Sequence, residues 1–473
     1  MNTLLTIKGN KIVKDGNPIR LRGVNLGNWM LLEHFMIGLP WTEHKMREGF
    51  KEILGEEAHG RFFNTYMDCF ITEADIRFLA EDIGINCFRL PFTYRHFEDD
   101  WKPGEFKTDS FKYFDRVIEW CRKYDMYVLL DLHAAAGAQA RDWNAESNCG
   151  EALLWEHPHF IQRSADLWRF IASRYADEPR VLGYALLCEP VSRSLDALHR
   201  FNMDCIKAIR EEDTQHIIMV QSNEWGKKIK TVQLEVFEDP LVMPILNHYV
   251  HKMQPFDKIL SSYPCMHEGR HYGRDQIRDT LALAYDRSYI DRPYFCGEFN
   301  LHWNLNMMDD LLSVFEEEDI HWTMWSYKFV LPGGNVRPRD ATPWQQFIQS
   351  EPVKKMHEAF EKGMDGMLEG MKQQIRPAKV AGAASCPEDA EDLGLFKYQC
   401  KHHWHALMLP RVLKLLKEQH MGDLEAMARS FAFENCETND GVNAVLRKYC
   451  RGDKPIDSVI MEVEMNEQSP QHV

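Results

Sequence analysis

The sequence predicts an α/β protein: a (β/α)₈ TIM barrel with a small C-terminal helical extension. Strand-like apolar runs recur through the first 345 residues, and amphipathic helical stretches separate them. The length agrees, since 473 residues exceed the roughly 250 that such a barrel takes alone. A doubly wound open sheet is the alternative. It would bring a glycine-rich phosphate loop after the first strand, where this chain has NLGNW.

The barrel elements are predicted in chain order. Turn sequences KGN and KDGNP between β-forming residues predict a small hairpin before residue 24. The segments between the later strands, such as 111–123 and 160–175, carry apolar residues at helical spacing. Eight alternating strand–helix units predict closure into a parallel barrel. The eight strands are predicted at residues 21–26, 85–90, 127–132, 181–187, 216–221, 243–248, 293–297 and 321–326.

The chain after residue 345 is predicted to be organised differently. A helix at 351–375 closes a barrel domain that spans residues 1–375 and includes the N-terminal hairpin. Residues 376–391 are rich in Ala, Pro and acidic residues, which is typical of a linker. Residues 392–473 are predicted to form a helical unit with a polar tail. Its apolar surface is more than about sixty residues can bury alone, so we expect packing on the barrel or, as second choice, a homodimer.

Composition and charge limit the partners. The chain has 56 Lys and Arg against 72 Asp and Glu, a formal net charge of −16. Nucleic acids and anionic lipids are bound through Lys and Arg, so we expect neither nucleic acid nor a membrane as partner. The sequence does not begin with a basic and apolar leader, and its 12 cysteines form no CxxC pair. A cytoplasmic location with reduced thiols is therefore expected.

Two glutamates are the strongest candidates for chemistry. Glu189 follows the apolar run GYALLC, and Glu298 follows YFCG. The C-terminal ends of strands form the active face of a barrel, so the two carboxyls should meet there. One protonated and one ionised carboxyl are what retaining glycoside hydrolysis requires. This reaction needs no metal and no organic cofactor, and we expect none.

Seven segments at predicted strand ends carry further motifs: RLRGVNLGNWMLLE, GINCFRLPFTY, VLLDLHAAAGAQ, GYALLCEP, NHYVH, CGEFN and MWSYK. In order and spacing they resemble glycoside hydrolase family 5, the cellulase-like barrel glycosidases, and most closely its exo-β-1,3-glucanase-like branch. The resemblance covers residues 8–345. It implies a carbohydrate substrate and hydrolysis of β-glucosides or short β-glucan-derived oligosaccharides by two glutamates.

The resemblance also implies roles for single residues. Glu189 is implied to be the acid/base and Glu298 the nucleophile. Family members usually carry Asn directly before the acid/base, where this chain has Cys188, a weak hydrogen-bonding group. Another side chain then supplies that contact, or turnover is reduced, or the sugar differs. The implied substrate-binding residues are Arg89, His133, Cys188, His248, Tyr249 and Trp325.

Two other functions stay open at this point. Cys188 favours a non-catalytic or weakly active carbohydrate-binding barrel, and the fold also suits a transglycosylase, in which an acceptor replaces water. His402 and His405 are three residues apart on a predicted helix and could face one metal ion, but a packing role is expected. Further candidates for lining the cleft are Trp29, Glu33, Trp143, Asn144, Asn300 and Trp303.

Overall fold

A computed structural model describes residues 3–375, 388–417 and 421–451. At its N-terminal end, strands Thr6–Lys8, Lys11–Lys14 and Asn17–Pro18 form an antiparallel sheet. Ile12 of this sheet is buried in one cluster with Tyr127 and Leu129. The predicted hairpin therefore packs against the N-terminal ends of the barrel strands, on the side opposite to the catalytic face of such barrels.

Eight parallel strands close into a barrel, as the sequence predicts. Closure is completed where Trp322 of the last strand pairs with Arg22 of the first. This pairing excludes the open doubly wound sheet. The strands are β1 (Arg22–Asn25), β2 (Cys87–Thr93), β3 (Tyr127–Ala134), β4 (Val181–Ala185), β5 (Ile217–Gln221), β6 (Val242–Asn247), β7 (Tyr294–Glu298) and β8 (Ile320–Met324).

Helices surround the strands in α/β order. The longer ones are α1 (Glu43–Leu54), α2 (Glu56–Cys69), α3 (Phe111–Lys123), α4 (Pro158–Tyr175), α5 (Leu195–Arg210) and α6 (Leu305–Glu317). In α3, Phe114, Val117, Ile118 and Cys121 recur every three or four residues and all are buried, which is why this segment is a helix packed on the sheet. The connections after β5 and β6 carry only short helices, such as Arg274–Asp279, and the hairpin of Cys265–His267 with Arg270–Tyr272.

After the short helix Pro343–Ile348, the described residues form four longer helices: α7 (Glu351–Ile375), α8 (Glu388–Lys417), α9 (Met421–Arg429) and α10 (Asp440–Arg451). The predicted helix at 351–375 is confirmed by α7. Of the predicted linker, residues 376–387 lie outside the described residues. Its last four residues are helical, which corrects the predicted boundary: acidic residues such as Glu388 and Asp389 favour a helix N-terminus. No helix in the described ranges combines the length and apolar character needed to cross a bilayer.

The C-terminal helices pack on the barrel, as expected from their apolar surface. Leu409 and Leu413 of α8 lie against Gly49 of α1, and a methyl group at Gly49 would stand 2.7 Å from Leu413. Strand Cys436–Thr438 pairs with Val336–Pro338 of the barrel domain in a two-stranded antiparallel sheet. These contacts make α8–α10 part of one hydrophobic core with the barrel.

Candidate active site

The two candidate glutamates lie on the C-terminal side of the barrel strands. Glu298 is the last residue of β7, and Glu189 comes four residues after the end of β4. Between β4 and Glu189, the Cys188 amide donates to the Leu132 carbonyl on β3 at 3.0 Å. Backbone pairing thus continues beyond the strand and carries both carboxyls to the same face of the barrel.

Glu298 is surrounded by donors. Its Oε1 accepts from Arg89 Nη1 at 2.6 Å and from Cys188 Sγ at 3.2 Å, while its Oε2 accepts from the Tyr249 hydroxyl at 2.8 Å. Burial alone would raise the pKa of Glu298, but the charge and hydrogen bond of Arg89, with the Tyr249 bond, bring that pKa below its usual value. The Glu298 carboxyl is therefore ionised at neutral pH.

Glu189 accepts hydrogen bonds from amides and forms no ion pair with any residue that the structure describes. Its Oε2 accepts from Asn144 Nδ2 and its Oε1 from Asn247 Nδ2, both at 3.0 Å. Burial and the negative charge of Glu298 raise the pKa of Glu189. Its φ of +50° is one that non-glycine residues rarely adopt, and its N–H donates to Gln221 Oε1, which helps to hold this backbone. The pKa of Glu189 is therefore shifted in the direction opposite to that of Glu298.

His133 and Trp325 form a stacked pair beside the carboxyls. Their rings lie 5.1 Å apart at 18°. His133 Nδ1 donates to Asp131 Oδ2 at 3.0 Å, and its Nε2 faces Glu33 Oε1 at 4.0 Å. Burial and the charges of Glu298 and Glu189 raise the pKa of Glu33. Glu33, a loop candidate from the sequence, is thus a third carboxyl of the site.

The structure corrects one site residue, His248. Its Nε2 lies 2.8 Å from Thr280 Oγ1, and burial lowers its pKa to about 3. Adjacent residues of a strand face opposite sides, so His248 points behind β6 while Asn247 points to the site. Asn247 takes the place that the sequence analysis gave to His248.

Cys188 is fully buried, with its thiol next to the Glu298 carboxyl. Burial and the charge of Glu298 raise the pKa of this thiol well above its usual value, so it stays protonated and donates to Glu298. Asn247 Nδ2 lies 3.9 Å from its Sγ. The Asn247 amide at the end of β6 therefore stands beside both Cys188 and the Glu189 carboxyl.

Sequence reasoning missed Asp131, Asn247 and Gln221. Asp131 binds Arg89 Nη2 at 2.9 Å, and Gln221 donates to Asn247 Oδ1 at 2.9 Å. Alternation on strands offered a signal for one of them, because Asp131 is two residues before His133 and shares its face. Gln221 ends β5 and could have been found by treating every polar residue at a strand end as a candidate.

Some of the remaining loop candidates lie at the site or at its rim, and one lies in the core. Asn144 contacts Glu189, and Asn300 Nδ2 donates to the Trp325 carbonyl at 2.5 Å. Trp303 is 40% exposed at the rim. Trp29 is buried, and its Nε1 donates to the Met67 carbonyl at 2.9 Å, so it belongs to the core.

Two groups of residues bear on metal binding. Asp131, His133 and Cys188 bring potential ligand atoms within 4.8 Å of one another. A cation there would compete with Arg89 for Asp131. His402 Nε2 donates to the Arg141 carbonyl at 2.9 Å, and the His405 ring packs 5.1 Å from that of His34, so these two histidines have the packing role expected for them.

Comparison with known proteins identifies the family of this chain. Residues 47–329, more than half of the chain, match the family model described as "Cellulase (glycosyl hydrolase family 5)". A protein named beta-xylosidase from Phanerodontia chrysosporium is 30% identical over 93% of this chain and 97% of its own. A match of that extent continues past residue 375 into the C-terminal helices. Endoglucanase C from Acetivibrio thermocellus is 28% identical over 56% of this chain and 87% of its own.

Among solved structures, that of AoRut matches with a TM-score of 0.51 and 16% identity, covering 66% of this chain and 89% of its own. At this identity the match supports the barrel fold alone. The family model, the closed barrel and the relatives agree. The chain therefore belongs to glycoside hydrolase family 5 and is a glycoside hydrolase.

Proposed function

We propose that the chain is a retaining β-glycoside hydrolase with Glu298 as nucleophile and Glu189 as acid/base. One observation carries this proposal: two buried carboxyls on one face of the barrel have pKa values shifted in opposite directions. A double displacement needs both an ionised carboxylate and a protonated carboxyl at the start of the reaction. The two pKa shifts have the directions that this division of roles requires.

The reaction then proceeds in two steps. Glu189 gives its proton to the glycosidic oxygen while Glu298 attacks the anomeric carbon, so the aglycone leaves and a glycosyl ester forms on Glu298. Glu189, now ionised, takes a proton from water, which attacks the same carbon and releases Glu298. Each residue ends in its initial protonation state.

Other side chains have supporting roles in this proposal. Arg89 keeps Glu298 ionised, and the Tyr249 hydroxyl orients it through a 2.8 Å hydrogen bond. Trp325 offers a ring face for the sugar, and His133 and Glu33 offer polar groups for its hydroxyls. Asn247 Nδ2 stands 3.9 Å from Cys188 Sγ, so we assign to Asn247 the amide contact that Cys188 does not make.

The proposed substrates are β-glucosides or short β-glucan-derived oligosaccharides. A β-xyloside is the second candidate, because the relative that matches nearly the whole chain is named beta-xylosidase. Kinetics on 4-nitrophenyl β-glucoside and 4-nitrophenyl β-xyloside decides between the two sugars.

Stereochemistry tests the mechanism. Proton NMR during hydrolysis should show the β-anomer of the free sugar first, with the α-anomer appearing only by mutarotation. An initial α-anomer would contradict the double displacement. Folded protein without turnover on either glycoside would favour the carbohydrate-binding alternative, and glycosides of an added alcohol in place of free sugar would indicate a transglycosylase.

A further inference from the structure

The loop of residues 141–151, between β3 and α4, reaches Glu189 through one side chain. Asn144 Nδ2 donates to Glu189 Oε2 at 3.0 Å. The Oδ1 of the same amide is buried and has no hydrogen-bond partner among the described residues. The amide plane is thus held on one side only, and its placement depends on the backbone of the loop.

Helix α8 holds both ends of this loop. His402 Nε2 donates to the Arg141 carbonyl at 2.9 Å, and Gln399 Nε2 donates to Glu151 Oε1 at 3.0 Å. Gly150 lies directly on the helix, since a Cβ there would stand 3.3 Å from the Gln399 backbone nitrogen. The loop is therefore tied to a helix that belongs to the C-terminal unit.

The residue next to Asn144 is clamped as well. The Trp143 ring lies 4.2 Å from the His34 ring, edge to face, and Lys401 Nζ of α8 lies 4.4 Å from its centroid. A cation over an indole face is a favourable contact. Trp143 is fixed between a barrel loop and α8, which limits the movement of Asn144.

We propose that α8 is a positioning element for Glu189, acting through His402, the 141–151 loop and Asn144. The inference rests on the proposed function of Glu189 as the proton donor. His402 does not touch substrate; it fixes the Arg141 carbonyl, the loop fixes Asn144, and Asn144 aims the Glu189 carboxyl. The C-terminal unit then takes part in acid catalysis although it supplies no catalytic residue.

Proton donation has a specific kinetic signature. A 2,4-dinitrophenolate leaves without protonation, whereas a phenolate leaves poorly unless it receives a proton. A misaimed Glu189 therefore lowers kcat/KM for phenyl β-glycosides and spares the dinitrophenyl substrate. A loss of folded enzyme lowers both rates equally, so the ratio of the two separates positioning from stability.

The test compares variants of the full chain. His402→Ala and Asn144→Ala should each raise the dinitrophenyl-to-phenyl ratio of kcat/KM roughly fivefold, the effect of one hydrogen bond. His402→Gln, which keeps a donor for the Arg141 carbonyl, should restore most of the original ratio. His403→Ala is the matched control, because His403 is the exposed next residue on the same helix, and the ratio should not change.

An unchanged ratio in His402→Ala would overturn the inference. If that variant does not fold, Gln399→Ala replaces it, since Gln399 is exposed, and an unchanged ratio there has the same meaning. Glu189→Ala distinguishes failure of this inference from failure of the proposed function. If the ratio rises in Glu189→Ala but not in the His402 variant, only the role of α8 is contradicted. If the ratio does not change in Glu189→Ala, the proposed function is contradicted.

Discussion

Glu298 and Glu189 carry the same functional group, and burial by itself would raise the pKa of each. Their surroundings, however, differ in charge. Glu298 accepts from a guanidinium, a hydroxyl and a thiol, whereas Glu189 accepts from two amides. The pKa of Glu298 is lowered and that of Glu189 is raised. The comparison teaches that the neighbouring residues, and not the glutamates themselves, set the direction of each pKa shift.

Removing each carboxyl should give the largest and most different effects. Glu189→Ala should lower turnover of phenyl glycosides by about 10²–10⁴-fold, and Glu298→Ala should lower it further because no nucleophile remains. With added azide, Glu189→Ala should form the β-glycosyl azide, since azide attacks the intermediate. Glu298→Ala should form the α-glycosyl azide by direct displacement. NMR of the products checks this, and exchanged anomers would reverse the two roles.

The ion pair of Lys328 with Asp75 is buried like the two glutamates but lies outside the site. It therefore tests whether the pKa difference between the glutamates depends on their immediate neighbours. Lys328 is fully buried and bonds Asp75 at 2.6 Å and the carbonyls of Phe70 and Phe431 at 2.7 Å, joining the barrel to the C-terminal unit. Lys328→Met should cost about 3–5 kcal/mol in free energy of unfolding, because it leaves Asp75 buried and unpaired. Urea unfolding measures this cost.

The matched control is Lys355→Met, which removes a solvent-exposed partner of Glu351 and should change stability by about 0.5 kcal/mol or less. The pH dependence of the folded Lys328→Met enzyme should stay that of the parent. A shift of its acid limb would mean that buried pairs act on the site at a distance, and that the immediate neighbours of the two glutamates do not alone set their pKa values.

Arg89 is the residue on which the difference between the carboxyls depends. The proposed mechanism requires ionised Glu298 and protonated Glu189, so kcat/KM should follow a bell-shaped pH profile whose limbs belong to the coupled pair. Arg89 lowers the pKa of Glu298, so Arg89→Met should move the acid limb to higher pH. Arg89→Lys keeps a positive charge and should move it less. An acid limb that stays in place in Arg89→Met would contradict the assigned cause.

Cys188 should have the smallest effect. Its thiol donates to Glu298 at 3.2 Å, and thiols are weak donors. Cys188→Ala should cost about 1 kcal/mol, roughly a fivefold loss in kcat/KM. Cys188→Ser keeps a donor of similar size and serves as the control. Equal losses in the two variants would show that packing at this position, and not donation, is what matters.

The fold was predictable from the sequence because its signals are local and repeated. The eight strands are buried at every position except Arg22, and every predicted segment coincides with a strand to within a few residues. The linker boundary was wrong at residues 388–391, where acidic residues typical of a linker also suit the start of a helix.

The site was predictable where a residue follows an apolar strand and less so where side chains from distant segments meet. Glu298, Arg89 and Tyr249 form a bonded group, as their motifs indicate. The sequence analysis assigned His248 to the site in place of Asn247. Adjacent residues of a strand face opposite sides, so an error of one residue places the wrong side chain at the site. The contact of His402 with the loop that carries Asn144 joins segments more than 250 residues apart, and no local pattern encodes it.

The role of Glu298 as nucleophile is tested most directly by covalent trapping. A 2-deoxy-2-fluoro-β-glucosyl fluoride, or the xylosyl equivalent if xylosides are preferred, should inactivate the enzyme by slowing breakdown of the glycosyl ester more than its formation. Mass spectrometry of proteolytic peptides should then find one fluoroglycosyl group on Glu298. A label on Glu189 or Glu33 would contradict the assignment of Glu298.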